Sequence, residues 1–309
     1  MSPSNKASDL FNVNGLVAVI TGGGSGLGLY AARALDANGA KAVYIVGRRE
    51  ETLLAAAKTA VNGTIKPIVG DVSNKDSLTR IADQVRREQG YVNLLFANAG
   101  VSGPKHAALL KDAEPNPETG KPSVTAFQKA MFAPPIEDFT SASHTNVSAV
   151  FYTTIAFLDL LEAGNKPPNN LAQDSQVIVT SSIAGFSRQL ASGFAYSSSK
   201  AATTHLVKML STYFAQAGFR IRANVIAPGL YPSEMTEGTT GALKGYEGKG
   251  GAFEGARVVG KDNSPAERTG SEEDFAGTVL YLAGRAGAFL NGETLVTDGG
   301  RLAQLPAVY

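Results

Sequence analysis

Seven apolar runs rich in valine, isoleucine and leucine recur along the chain with little polar alternation, at 16–21, 42–47, 66–70, 92–97, 176–181, 220–227 and 293–297. Strands that helices cover on both faces read this way, because neither side meets water. Between them apolar positions return at helical spacing, predicting helices over 27–37, 75–88, 147–162 and 196–217. Strand and helix in alternation predict an α/β fold: one seven-stranded parallel sheet, doubly wound, with helices on both faces. No linker or internal repeat divides the chain, so residues 1–309 are expected to form a single domain.

Two stretches break the alternation. Residues 101–143 hold Pro104, Pro115, Pro117, Pro122, Pro134 and Pro135 and read as a long loop insertion with one short helix. Residues 230–263 are rich in glycine and read as a mobile substrate lid. Both follow strand C-termini, where open α/β sheets bind ligands.

Composition removes several classes of chemistry. Without cysteine there are no disulfides, thiol nucleophiles or thiolate-bound metals. The three histidines, His106, His144 and His205, lack metal-ligand spacing. A net charge of +1 argues against a nucleic-acid partner. The opening MSPSNKASDLF carries no apolar run and no later stretch approaches a membrane span, so the expectation is a cytoplasmic protein with no membrane partner.

The first strand runs into Thr21-Gly22-Gly23-Gly24-Ser25-Gly26-Leu27-Gly28 and then a helix. Glycines there permit a tight turn and close approach to a pyrophosphate, and the helix N-terminus offers free N–H groups to the anion. The spacing is TGxxxGxG, through Thr21, Gly22, Gly26 and Gly28, rather than GxGxxG. An acid at the end of the second strand would hold the ribose 2′-hydroxyl of NAD. Here Arg48 and Arg49 stand there instead, and guanidinium pairs with a 2′-phosphate, so NADP(H) is the expected cofactor. Against this, the arginines would be ordinary solvated surface.

Tyr196 and Lys200 are four residues apart, hence on one helix face. A phenol of pKa roughly 10 working near pH 7 needs ~4 kcal/mol of help. One ammonium at ~4 Å, in an effective dielectric of ~20, supplies about that. The pair alone is also what a helix surface yields by chance. It is not alone: Val179-Thr180-Ser181-Ser182 puts hydroxyls at a strand end, and further motifs follow in order. They are Asp71-Val72, Asn98-Ala99-Gly100, Asn146, Pro228-Gly229 and Gly299-Gly300. On these the chain resembles the short-chain dehydrogenase/reductases, a Rossmann-fold family, from Leu16 to Gly300.

The resemblance implies roles. Tyr196 exchanges a proton with the substrate oxygen during hydride transfer, and Ser182 holds that oxygen. Lys200 depresses the Tyr196 pKa and binds the nicotinamide ribose, and Asn146 holds a water in a proton relay. Thr21, Gly22, Gly24, Ser25, Gly26, Leu27 and Gly28 form the phosphate turn. Asp71 and Val72 lie at the adenine, and Asn98, Ala99 and Gly100 support sheet and cofactor. Pro228, Gly229 and Ser233 lie at the carboxamide, Ser233 standing where the family usually has threonine. The implied activity is hydride transfer between NADP(H) and a carbonyl or secondary alcohol, in a homodimer or homotetramer built on the 147–162 and 196–217 helices.

Departures qualify this. Ala97 replaces an expected asparagine, the Ser182–Tyr196 spacing is one residue long so that Ser181 remains an alternative, and the 101–143 insertion adds about two dozen residues. Lys105, His106, Phe127, Met131 and Phe132 of the insertion are candidate substrate contacts, with surface packing as the competing reading; its Phe and Met residues, with Tyr231, Met235 and Phe253 of the lid, point to an apolar small-molecule substrate. An NAD-dependent alcohol dehydrogenase and a dinucleotide-binding protein without redox activity are the alternatives.

Overall fold

The computed structural model describes residues 4–104, 109–111, 115–190 and 192–308; Lys105 and His106 lie outside them. Seven strands form one parallel sheet: β1 (Val17–Thr21), β2 (Ala42–Gly47), β3 (Ile65–Val69), β4 (Leu94–Ala97), β5 (Gln176–Thr180), β6 (Arg222–Pro228) and β7 (Thr294–Thr297). Their order is β3-β2-β1-β4-β5-β6-β7. The order reverses between β1 and β4, which opens a crevice above their C-terminal ends.

Alternate residues of one strand feed two cores. Val17 and Val19 join Tyr44, Leu78, Ile81, Leu161, Val207 and Phe214 on one face. Ala18 and Ile20 join Ile45, Leu35, Phe275, Val279 and Leu282 on the other. Each buried valine, leucine, isoleucine or phenylalanine among them contributes about 1.5–3 kcal/mol on leaving water. With both faces dry the strands cannot alternate, which is why the unbroken apolar runs were legible as strands.

Two expectations are corrected. Among its described residues the insertion carries the helices Val124–Phe132 and Ile136–Ser143, rather than a loop with one short helix. Its prolines punctuate these helices: Pro135 is the N-cap of the second, just past the end of the first. A proline is tolerated at a helix start, where its missing N–H has no intrahelical partner. The helix expected over 147–162 is broken into a π-turn at His144–Ser148 and helices Ala149–Ala156 and Leu158–Ala163. The break falls at Phe157, buried in the core, after Thr154 returns its hydroxyl to the Val150 carbonyl at 2.9 Å. Such back-bonding bends helices.

Candidate active site

The Gly26–Ala37 helix begins at Ser25, which makes no side-chain cap, so the first N–H groups of the helix face the crevice uncapped. Gly26 has φ +52°, and a methyl at Gly28 would lie 2.3 Å from the Gly22 carbonyl oxygen and 2.7 Å from Asn98 Nδ2. The turn is therefore closed so tightly that its backbone alone can meet an anion.

Asn98 stitches the sheet beside it. Its Nδ2 donates to the Thr21 and Gly22 carbonyls at 3.1 and 3.3 Å, and its Oδ1 accepts from Thr180 Oγ1 at 2.9 Å. The Asn98 and Ala99 amides both donate to Thr21 Oγ1. One side chain thus fixes the ends of β1, β4 and β5 at the reversal of strand order.

Asp71 accepts from the Ser73 hydroxyl and amide. Those bonds hold its carboxyl below the usual range, with a smaller contribution from the Arg48 charge nearby. Val72 packs under the sheet and lines a cavity of about 220 Å³ with His144 and Tyr152. Arg48 is exposed at the end of β2, whereas Arg49 pairs with Glu234 at 2.6 Å across the crevice. The segment after β6 also reaches the phosphate turn: Tyr30 donates to the Pro232 carbonyl, and a methyl at Gly26 would come within 3.1 Å of Ser233 Cβ. The Gly229 amide donates to the Thr297 carbonyl, which locks Pro228-Gly229 to β7.

Tyr196 and Lys200 lie in the first turns of a long helix, Phe194–Gln216. The Tyr196 phenol is held above its ordinary pKa by burial, and its hydrogen bond with Ser182 acts the other way. Lys200 Nζ sits 5.7 Å from the Tyr196 ring centroid and donates to the Thr180 carbonyl at 2.7 Å. Burial lowers its pKa to about 8. Ser181 is occupied elsewhere, donating to the Lys200 carbonyl at 2.9 Å and paired with Thr204 at 2.7 Å.

Asn146, fully buried in the π-turn, accepts from the Val101 amide and donates to the Val101 carbonyl and to Ser199 Oγ. A methyl at Gly100 would lie 3.0 Å from Asn146 Oδ1 and 3.5 Å from Lys200 Nζ, so both atoms border one small space. Ser182, Tyr196, Lys200 and Asn146 are brought together at the mouth of the crevice.

Residues 16–243 match the family model described as short chain dehydrogenase. The chain belongs to the short-chain dehydrogenase/reductase family. It is 44% identical to the short-chain dehydrogenase/reductase PhomF of Diaporthe leptostromiformis, over 100% of this chain and 99% of that one. It is 40% identical to VdtF of Byssochlamys spectabilis over 98% of each. Among solved structures it superposes on a Pseudomonas aeruginosa RhlG/NADP active-site complex with TM-score 0.74 and 28% identity, covering 95% of this chain and 98% of that one.

In this short-chain dehydrogenase/reductase Thr180 has a role beyond being one of the strand-end hydroxyls, and Thr203, unmarked by any motif, joins it. Thr180 ties Asn98 to Lys200, and Thr203 Oγ1 donates to the Asn146 carbonyl at 2.7 Å. Helical spacing from Lys200 would have found Thr203. Two lid aromatics are anchors: Tyr231 packs edge-on to Phe275, and Phe253 lies 3.8 Å from the Arg268 guanidinium. The C-terminal residues also reach the site: Arg188 donates to the Pro306 carbonyl, and the Val308 amide to that of Phe186. They clamp the loop between Ser182 and Tyr196. Among the described residues no helix is long and apolar enough to cross a membrane, and no cluster suits a metal.

Proposed function

We propose that this chain transfers hydride between NADP(H) and a carbonyl or secondary alcohol, with Tyr196 as the general acid/base. The observation that carries this reading is the hydrogen bond between Ser182 and the buried Tyr196 phenol, with the Lys200 ammonium 5.7 Å from the Tyr196 ring centroid. When bound, the nicotinamide supplies or accepts the hydride.

Tyr196 donates its phenolic proton to the carbonyl oxygen in reduction and recovers it in the reverse reaction. Burial keeps the phenol protonated, which suits the acid role. Ser182 donates a hydrogen bond to the same oxygen where negative charge develops. The Lys200 ammonium stabilises the phenolate left behind, and the space bordered by Lys200 and Asn146 Oδ1 accommodates a relay water. Uncapped N–H groups from Gly26 onward would hold the pyrophosphate, Asp71 the adenine, and Pro228, Gly229 and Ser233 the carboxamide.

The cofactor preference rests on Arg48, exposed where an acid would repel a 2′-phosphate. The RhlG complex, 28% identical, is one with NADP. Exposed Tyr152, Ile155, Met209 and Tyr213 on the two long-helix regions support a homodimer or homotetramer.

Exchanging Tyr196→Phe and assaying a ketone panel with NADPH tests the proposal. The expected outcome is normal NADPH binding with turnover reduced at least a hundredfold. A variant that reduces ketones as fast as the wild type would overturn it.

A further inference from the structure

The end of β2 carries no acid of its own, but one is delivered to it from across the crevice. Glu50 and Glu51 open the helix that follows, Glu50–Ala57. Glu234, from the segment after β6, is the carboxylate that meets Arg49, at 2.6 Å. In the strand order β1, β4 and β5 lie between β2 and β6, so at about 4.8 Å per strand roughly 19 Å separates the two ends. Glu234 is six residues past Pro228, a reach of roughly 20 Å when extended. The segment therefore leads across the intervening strand ends to bring its carboxylate to Arg49.

Its route is fixed on the way. Tyr30, on the helix that begins at the phosphate turn, donates to the Pro232 carbonyl at 3.3 Å. A methyl at Gly26 would lie 3.1 Å from Ser233 Cβ. Thr236 Oγ1 accepts from the Ser233 amide at 2.9 Å and donates to the Tyr231 carbonyl at 2.6 Å, closing the turn that carries Glu234. The carboxylate is thus presented from a braced turn, although the paired side chains of Arg49 and Glu234 are 63% and 58% exposed. The two arginines differ accordingly: Arg49 carries a counter-ion, and Arg48 faces solvent at the strand end.

We propose that Glu234 sets the dinucleotide preference by occupying Arg49, so that a 2′-phosphate must displace this carboxylate to gain the second guanidinium. The inference rests on the NADP(H) reading and deepens it. A ribose 2′-hydroxyl has no charge with which to compete, so NADH leaves the pair in place. A 2′-phosphate competes for the guanidinium through charge-assisted bonds and takes it over at the expense of the pair. An exposed ion pair resists such displacement by a factor of up to about five. Glu234 lowers NADPH affinity by that factor, and the preference for NADPH is smaller than the two arginines alone would give.

Glu234→Gln keeps the shape of the side chain and removes its charge. Calorimetry at low ionic strength, where exposed charges are least screened, is the test. The variant should bind NADPH and adenosine 2′,5′-bisphosphate about twofold to fivefold more tightly than the wild type, with NADH affinity unchanged. In an Arg49→Ala background the same exchange should leave NADPH affinity where it was. Equal NADPH affinity in wild type and Glu234→Gln, or equal tightening of NADPH and NADH, overturns the inference. A gain that persists in Arg49→Ala also overturns it, because plain charge repulsion then explains the effect. If the wild type binds NADPH and NADH alike while the Glu234→Gln gain depends on Arg49, Glu234 keeps this role and the Arg48 reading falls. If the affinities behave as expected while Tyr196→Phe reduces ketones at full rate, Glu234 again stands and the proton role of Tyr196 falls.

Discussion

Lys200 Nζ donates a 2.7 Å hydrogen bond to the carbonyl oxygen of Thr180, and burial brings its pKa from 10.5 to about 8. The unfolded chain therefore holds this proton more tightly than the folded one between pH 8 and 10.5, and stability rises with pH across that window. Against Lys200→Met, which has no proton to lose, the wild type should gain on the order of 3 kcal/mol from pH 8 to 10.5. Urea unfolding of both proteins at fixed protein concentration measures the difference. A difference flat with pH would show that Lys200 is not desolvated.

Arg48 and Arg49 are adjacent but differently engaged, and their variants should separate. Loss of a charge-assisted bond costs about 1.5–3 kcal/mol, so Arg48→Ala should weaken NADPH binding tenfold to a hundredfold and leave NADH nearly unchanged. Arg49→Ala mainly breaks its exposed pair with Glu234, worth about 0–1 kcal/mol. Calorimetric titration with both dinucleotides decides it. Equal NADPH and NADH affinity in the wild type would refute the Arg48 assignment.

Gly28 has no room for a methyl group between the Gly22 carbonyl and Asn98 Nδ2. Gly28→Ala should push the turn open, lowering the melting temperature by several degrees and removing the further rise that NADPH gives the wild type. A melting curve like that of the wild type in both conditions would contradict the packing described for the turn.

Asp36, buried with no exposed surface, accepts hydrogen bonds from the Val61, Asn62 and Thr64 amides and the Thr64 hydroxyl. Burial raises its pKa, but these bonds from Asn62, Thr64 and Val61 together outweigh it, and the net direction is downward. Its contribution is complete above the ordinary carboxylate range and is lost as the pH falls through the lower folded value. Asp36→Ala should cost about 2–4 kcal/mol near neutral pH. The gap from the wild type should narrow in acid, as denaturant titration at descending pH will show.

The fold was legible because strands buried on both faces carry no polar alternation, so β2 and the Lys75–Glu88 helix fell at their observed ends. The site was legible where spacing along one element fixes a neighbour, as for Tyr196 and Lys200. It was less so where the partner comes from another element: Thr180 reaches Lys200 only through the folded sheet, and Arg49 meets Glu234 across the crevice. The insertion is less legible because proline reads as a helix breaker, while the chain uses Pro135 to begin a helix.

The backbone hydrogen bonds that join Arg188 and Phe186 to Pro306 and Val308 tie the C-terminal tail to the loop between Ser182 and Tyr196. A change in the tail can then alter how this loop is held while Tyr196 and Lys200, on the next helix, are left untouched. Comparing tails among relatives, rather than active-site motifs, is where differences in how they hold this loop should first become visible.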